Sequence, residues 1–184
     1  PVFELGNKTS FEASVTPSLD YLCQKGTVGL MQNVPAHMVS GSDVACMSLM
    51  GYDPAKYNIG RGAIEGAELG IDLHPGQVAF RMNLCCVEDN IMKSYSSDNT
   101  STENGNALAA EIKEALDGKV FTLHPGTSFR QILVANGFPE FVNLEYEAPH
   151  DNAGTDISQA YLPKATTAEQ QDLVDMLVTY MKSA

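Results

Sequence analysis

The chain has no tryptophan, only three arginines (Arg61, Arg81, Arg130), and 11 basic side chains against 23 acidic ones. The net charge of −12 repels nucleic acid and anionic membrane surfaces at long range, so neither is expected as a partner. No apolar run approaches the roughly 20 residues of a spanning helix, and no basic-then-apolar leader is visible. A cytoplasmic location is the expectation. Four cysteines (Cys23, Cys46, Cys85, Cys86) form no C-x-x-C pair, and the adjacent two are poorly placed for a disulfide. Reduced, buried thiols are expected. The four histidines are dispersed and outline no metal site. What remains is a chain of 184 residues, 43% hydrophobic, long enough for one domain or two small ones with a real core.

The stretch Gly41-Ser42-Asp43 opens a short apolar run (Val44, Met47, Met50) that Gly51 ends. It places the Ser42 hydroxyl at a helix start, where free backbone N–H groups and the positive end of the dipole favour an anion. A nucleophile that must hold a phosphoryl group suits that position. The competing reading is that Ser42 or Asp43 only caps the helix, since Ser and Asp dominate N-caps. Ser42 does not sit in a G-x-S-x-G elbow, and no hydrolase triad can be assigned. Gly60-Arg61-Gly62 with Gly66 has the wrong spacing for a dinucleotide fingerprint, and no strand leads directly into it.

Before Ser42, residues 1–15 are weakly patterned. Thr16 and Pro17 then read as N-cap and first helical position, Leu19, Leu22 and Cys23 share a face, and Gly26 ends a short packed helix. Residues 27–31 read as a strand leading into the serine loop, which Asn33-Val34-Pro35 breaks. His37 reads as a solvent-exposed loop residue and Asp20 as solvated or capping.

From residue 70 to 157 the pattern alternates, which points to a separate, mostly antiparallel α+β domain. Val78, Phe80, Met82 and Leu84 share one side of a strand, and Arg81 and Asn83 share the other. Residues 91–95 are expected to pair with that strand. Leu108, Ile112, Ala115 and Leu116 make the apolar stripe of a helix over 102–116 that closes at Gly118 and covers the sheet. Three more strands, 119–124, 128–134 and 140–146, are separated by turns at Pro125-Gly126 and Asn136-Gly137. A final helix has Leu173, Met176, Leu177, Tyr180 and Met181 on one side, with a capping box from Thr166 and Glu169, and is expected to dock on the opening segment.

Planar guanidinium forks bind phosphate or carboxylate bidentately, so the scarcity of arginine makes Arg61, Arg81 and Arg130 candidate substrate ligands. The bland alternative pairs each with one of the many carboxylates. His150-Asp151, in a Pro-, Asn- and Gly-containing loop, is a further candidate for substrate contact.

Thr16-Pro17-Ser18-Leu19-Asp20, Gly26-Thr27-Val28-Gly29, Gly41-Ser42-Asp43-Val44, Gly60-Arg61-Gly62, Val78-Ala79-Phe80-Arg81-Met82-Asn83, Pro125-Gly126-Thr127-Ser128-Phe129-Arg130 and Pro149-His150-Asp151 follow one another in order. This series resembles the archaeal-type, cofactor-independent phosphoglycerate mutases of the alkaline phosphatase superfamily, over most of the chain. The resemblance implies an α/β fold in which residues 1–69 are part of a phosphatase-like core, 70–157 an inserted cap, and 158–184 a return segment and core helix. It implies interconversion of 3- and 2-phosphoglycerate through a phosphoserine at Ser42. Arg61, Arg81, Arg130, Asp43, His150 and Asp151 would touch substrate, and Ser42 would be the one ligand here to two divalent ions, manganese or zinc. The core's Asp and His metal ligands have no counterpart in this sequence, so an excised and inactive segment of a larger enzyme, with no metal bound, is expected. A related phosphatase or phosphotransferase, including a homoserine-kinase-like enzyme, is one alternative. A non-enzymatic anion-binding module and a purely structural domain are others. The oligomeric state is left open.

Overall fold

The computed structural model describes residues 2–138, 144–145, 147–157 and 162–184, without the side chain of Glu169. It is a mixed α/β structure whose strands pair antiparallel, and it divides into two compact units, Pro1–Lys56 and Tyr57–Ala184.

The first unit is helical. Its first helix, α1 (Ser10–Ala13), starts in a capping box: Glu12 N donates to the Thr9 hydroxyl at 3.2 Å, and Thr9 N donates to Glu12 Oε2 at 2.8 Å. Next comes α2 (Pro17–Lys25), with Thr16 before it and Gly26 after it as expected. Its apolar face is not packed, however: Leu19, Tyr21 and Leu22 are all exposed among the described residues. Nor do residues 27–31 form the expected strand, because no segment among the described residues pairs with their backbone and a lone strand has nothing to satisfy its N–H and C=O groups. After this segment comes α3 (Ser42–Leu49), which buries Val44 and ends at Met50 and Gly51, where φ of +86° suits glycine. A single turn, α4 (Pro54–Tyr57), follows, with Ala55 N donating to Asp53 Oδ1 at 3.0 Å.

The second unit begins with α5 (Arg61–Glu68) and continues with β1 (Gln77–Asn83), β2 (Cys86–Glu88), β3 (Ile91–Ser94), α6 (Thr102–Leu116), β4 (Phe121–Thr127), β5 (Arg130–Asn136) and α7 (Gln171–Ser183). Three strands form an antiparallel sheet in the order β1-β5-β4. In its register Phe80 faces Leu133, which faces Leu123, and Arg81 faces Ile132. The even positions of β1 and the odd positions of β5 therefore share one side, which is apolar except for buried Gln131. That side builds the core: Phe121, Leu123, Leu133 and Ala135 pack with Ala109 of α6 and with Leu173, Val174, Leu177 and Tyr180 of α7. The other side carries Arg81 and faces α5.

Several expectations change for local reasons. The strand at residues 91–94 pairs with β2 instead of β1, because Asp89 and Asn90 take left-handed conformations (φ of 52° and 61°) that close a tight hairpin. Pro125-Gly126 is not a turn but a bulge within β4, where the register slips between His124 and Thr127; the chain turns at Ser128, with φ of 59°. On α6 the buried stripe is Gly105, Ala109, Ile112 and Leu116, and Leu108 points outward, since two small residues let the helix approach the hairpin. The helix is followed by Asp117 at its C-cap, so Gly118 does not close it. The last helix buries its stripe against the sheet of the second unit, where the sequence suggested the opening segment: Phe121 offers its ring to Tyr180 at 5.2 Å. Of the expected strand at 140–146, only Leu144 and Glu145 are described; Leu144 is in the core and Glu145 bridges Lys164. The capping box with Glu169 falls on a side chain outside the described ones; Thr166 donates to Gln170 Oε1 from its N and its hydroxyl. All four cysteines are free as expected, but Cys23, Cys46 and Cys86 are exposed and Cys85 is half-buried, because the helices and hairpin that carry them turn those faces to solvent.

Candidate active-site face

Ser42 occupies the first position of α3, behind an extended Gly41 that serves as N-cap and has no side chain. The cap is thus neither Ser42 nor Asp43. The Ser42 hydroxyl is exposed and has no hydrogen-bond partner among the described residues. Asp43 folds back over Gly41, so that a Cβ there would lie 2.5 Å from Asp43 Oδ1. His37 is exposed, as is Asp20, which accepts from the Thr16 hydroxyl at 3.2 Å without capping the helix. These residues belong to the first unit and the arginines to the second.

The second unit gathers all three arginines of the chain on one side of its sheet. Gly60, with φ of +84°, turns the chain into α5 and makes Arg61 its first residue. One turn later α5 presents Glu65. The helix can lie directly on β1 because Gly62 has no side chain: a Cβ there would overlap the Ala79 carbonyl oxygen and stand 2.8 Å from Phe80 Cα. Arg81 rises from β1 towards this helix and donates from Nη1 to Glu65 Oε1 at 3.2 Å; Arg61 Nε lies 3.5 Å from the same oxygen. Arg81 also donates from Nε to Asn83 Oδ1 at 3.2 Å. Asn83 stands opposite Arg130 in the register, so Arg130 projects on the same side.

Burial pushes the Arg81 guanidinium below its ordinary pKa, and the charges of Arg61 and Arg130 add to this while Glu65 opposes it. The three cations therefore feel one another. Arg130 makes no ion pair among the described residues; its guanidinium lies 5.4 Å from the centre of the Phe129 ring. Beside it is a cavity of about 240 Å³ lined by Glu65, Glu68, Gly126, Thr127, Arg130 and Ile132. Such a face can hold an anion through charge-assisted, bidentate hydrogen bonds.

The hairpin that carries Arg130 is held from beneath. Gln131 is fully buried; its Oε1 accepts from Gly126 N at 2.8 Å and its Nε2 donates to Ser128 O at 3.1 Å. Ser128 N donates to the Thr102 hydroxyl at 3.1 Å, and the Ser128 hydroxyl donates to Thr100 O at 2.5 Å, tying the tip to the start of α6. Sequence reasoning placed Asn83 beside Arg81 but missed Glu65 and Gln131. Glu65 had a signal, its i,i+4 spacing from Arg61; a polar residue in a β-branched run gave none for Gln131.

His150 and Asp151 lie on the short helix Pro149–Asn152, 3.8 Å from one another and largely exposed, with the His150 ring set edge-on to Tyr95 at 6.2 Å. None of these contacts involves an arginine. No three His, Cys, Asp or Glu side chains among the described residues converge to hold a metal ion, so these residues do not themselves fit a metal centre. No described helix is long and apolar enough to cross a membrane.

The family description that matches the chain, over residues 23–184, is 2,3-bisphosphoglycerate-independent phosphoglycerate mutase. The enzyme of that name from Methanosarcina barkeri is 38% identical over 165 residues, which cover 89% of this chain and 40% of that one. Its namesake from Pyrococcus furiosus is 35% identical over 152 residues, 82% of this chain and 37% of the other. The solved cofactor-independent phosphoglycerate mutase from Thermoplasma acidophilum superimposes with a TM-score of 0.57 at 28% identity, over 100% of this chain and 48% of that structure. The chain thus spans about 40% of the length of these curated relatives.

Proposed function

Because the chain belongs to the 2,3-bisphosphoglycerate-independent phosphoglycerate mutase family, we propose that it carries the nucleophile and the substrate-holding face of an enzyme that interconverts 3- and 2-phosphoglycerate. Ser42 Oγ attacks phosphorus, the P–O bond to glycerate breaks, and the phosphoserine then returns its phosphoryl to the neighbouring glycerate hydroxyl. The free N–H groups at the start of α3 favour the anionic group on Ser42. Asp43, beside it, would touch substrate. Residues 70–157 act as the cap, in which Arg81 and Arg130, joined by Arg61 from α5, grip the phosphate and carboxylate while glycerate reorients. His150 and Asp151 would touch substrate from their loop. Two divalent ions, manganese or zinc, belong to the same proposal: Ser42 would be the one ligand from this chain, and the ions would supply charge neutralisation. The setting is the cytoplasm.

The observation that carries the proposal is the convergence of Arg61 and Arg81 on Glu65 with Arg130 on the same side of the sheet. A chain with three arginines has no statistical reason to place them together. The test is an assay of the protein at the length of its relatives for conversion of 3- to 2-phosphoglycerate, with and without Ser42→Ala. Conversion abolished by the substitution is expected; undiminished turnover in Ser42→Ala would end the proposal. Release of inorganic phosphate without isomerisation would favour a phosphatase.

A further inference from the structure

Glu65 sits at the centre of the arginine face, and one of its oxygens engages two of the three guanidinium groups. Its Oε1 accepts from Arg81 at 3.2 Å and lies 3.5 Å from Arg61 Nε, with the Glu65 side chain 23% exposed. These are the donors that an incoming phosphate or carboxylate would need. We propose that Glu65 is an internal counter-ion, which holds the arginine face together when empty and is displaced from Arg61 and Arg81 by the anionic group of the substrate. This rests on the reading of that face as the surface that holds phosphoglycerate.

Three considerations lead there. Three cations on one small face repel one another, and burial of Arg81 adds to the cost, so an empty site gains from a carboxylate among them. Glu65 is reachable by a ligand, because it lines the same cavity as Arg130. Arg81 does not depend on Glu65 for its place: Asn83 Oδ1 accepts from its Nε at 3.2 Å, and the side chain is only 18% exposed within its packing against the sheet. Removing the carboxylate therefore leaves the guanidinium fork aimed as before with its Nη1 donor released. The device selects for charge, since a dianionic phosphate competes with a monoanionic carboxylate for the two arginines far better than a neutral sugar does.

Calorimetric titration of the full chain with 3-phosphoglycerate and, separately, inorganic phosphate tests this in the parent, Glu65→Gln and Glu68→Gln. Glu65→Gln keeps the side-chain volume and removes the competing charge; each partly exposed ion pair contributes up to a few-fold in an equilibrium constant, so affinity should rise roughly fivefold to tenfold. Glu68→Gln removes the same charge from the cavity rim and should raise it by no more than about twofold, through the screened field alone. Glu65→Ala should follow Glu65→Gln in direction. Binding by the parent that is equal or weaker in Glu65→Gln, or equal gains in the two glutamine variants, overturns the counter-ion and leaves the arginine face standing. No binding by any of these proteins overturns both.

Discussion

Replacing Gly62 by alanine adds one methyl group to the face of α5 that lies on β1. That methyl would overlap the Ala79 carbonyl oxygen and stand 2.8 Å from Phe80 Cα, and both obstacles are backbone atoms that no rotamer change can move. Carbon atoms rest about 3.5–4.0 Å apart, so the helix must lift by about 1 Å. Overpacking of this kind costs about 1–3 kcal/mol, and the better helix propensity of alanine offsets at most about 1 kcal/mol of it. A net loss of about 1–2 kcal/mol is expected. Gly66, one turn along and also buried, gives the opposite sign: a Cβ there would meet Ile132 and Ile71 side chains at 3.8 Å, an ordinary contact. Gly66→Ala should therefore stabilise by about 0.5–1 kcal/mol. Urea unfolding followed by circular dichroism reads both, and with slopes of about 1–3 kcal/mol per molar the two midpoints should separate by about 1 M. The same lift would stretch the 3.2 Å contact between Arg81 and Glu65 past ion-pair distance. Midpoints that shift in the same direction, or a Gly62→Ala variant within about 0.5 kcal/mol of the parent, would refute the close-approach account.

Two further outcomes concern groups outside the arginine face. The Tyr180 hydroxyl is buried without a partner among the described residues, while its ring keeps Phe121 at 5.2 Å; Tyr180→Phe should leave stability at neutral pH unchanged or raise it by up to about 1 kcal/mol. Burial, with the charge of Asp117, pushes the Tyr180 pKa from 10.0 up to about 12, so its contribution is present below pH 10 and lost as pH rises towards 12. Thermal melts across the alkaline range should show that loss in the parent and not in Tyr180→Phe. His124 is displaced the other way: burial first, then the Lys113 charge, lower its pKa from 6.5 while Asp117 opposes them. Its contribution is therefore present above pH 6.5 and lost as pH falls through the lower folded value, and melts of His124→Asn should have a flatter acid limb.

The helices and the sheet were legible where local chemistry and burial agree. Thr16-Pro17 and Gly26 bracket α2, Gly51 stops α3, and the alternation from Val78 to Asn83 assigns both faces of β1 correctly. Three of the failures share one physical cause, since each depended on a contact that no local pattern encodes. Leu19 and Leu22 have the right spacing for a packed helix, but packing needs a partner surface, and none covers them among the described residues. The pattern of residues 27–31 is β-like in composition, yet a strand exists only through its neighbour. Pro125-Gly126 reads as a turn in any local scheme; in the sheet, Gly126 N is taken by buried Gln131 and the pair becomes a bulge, which moves the turn to Ser128. The three arginines stood out by scarcity and Asn83 by the alternation of β1, whereas the contact of Glu65 with Arg81 exists only once α5 lies on β1.

An acidic chain and an anion-holding face are compatible because the two act over different distances. The net charge of −12 is a sum over the whole sequence, and between exposed charges it is screened beyond about 8 Å at physiological ionic strength. Within the arginine face the balance is reversed: Arg61 and Arg81 share the Glu65 carboxylate, and Arg130 makes no ion pair among the described residues. That reversal comes from the sheet, since pairing of β1 with β5 sets Asn83 against Arg130 and so puts Arg81 and Arg130 on one side. Residues 49 positions apart could not be held together by local structure alone. Gly62 then lets α5 approach closely enough for Arg61 and Glu65 to join them. The affinity proposed for a phosphorylated acid would thus rest on backbone pairing and one missing methyl group as much as on the arginines, and a substitution that disturbs either should weaken anion binding without removing any charge.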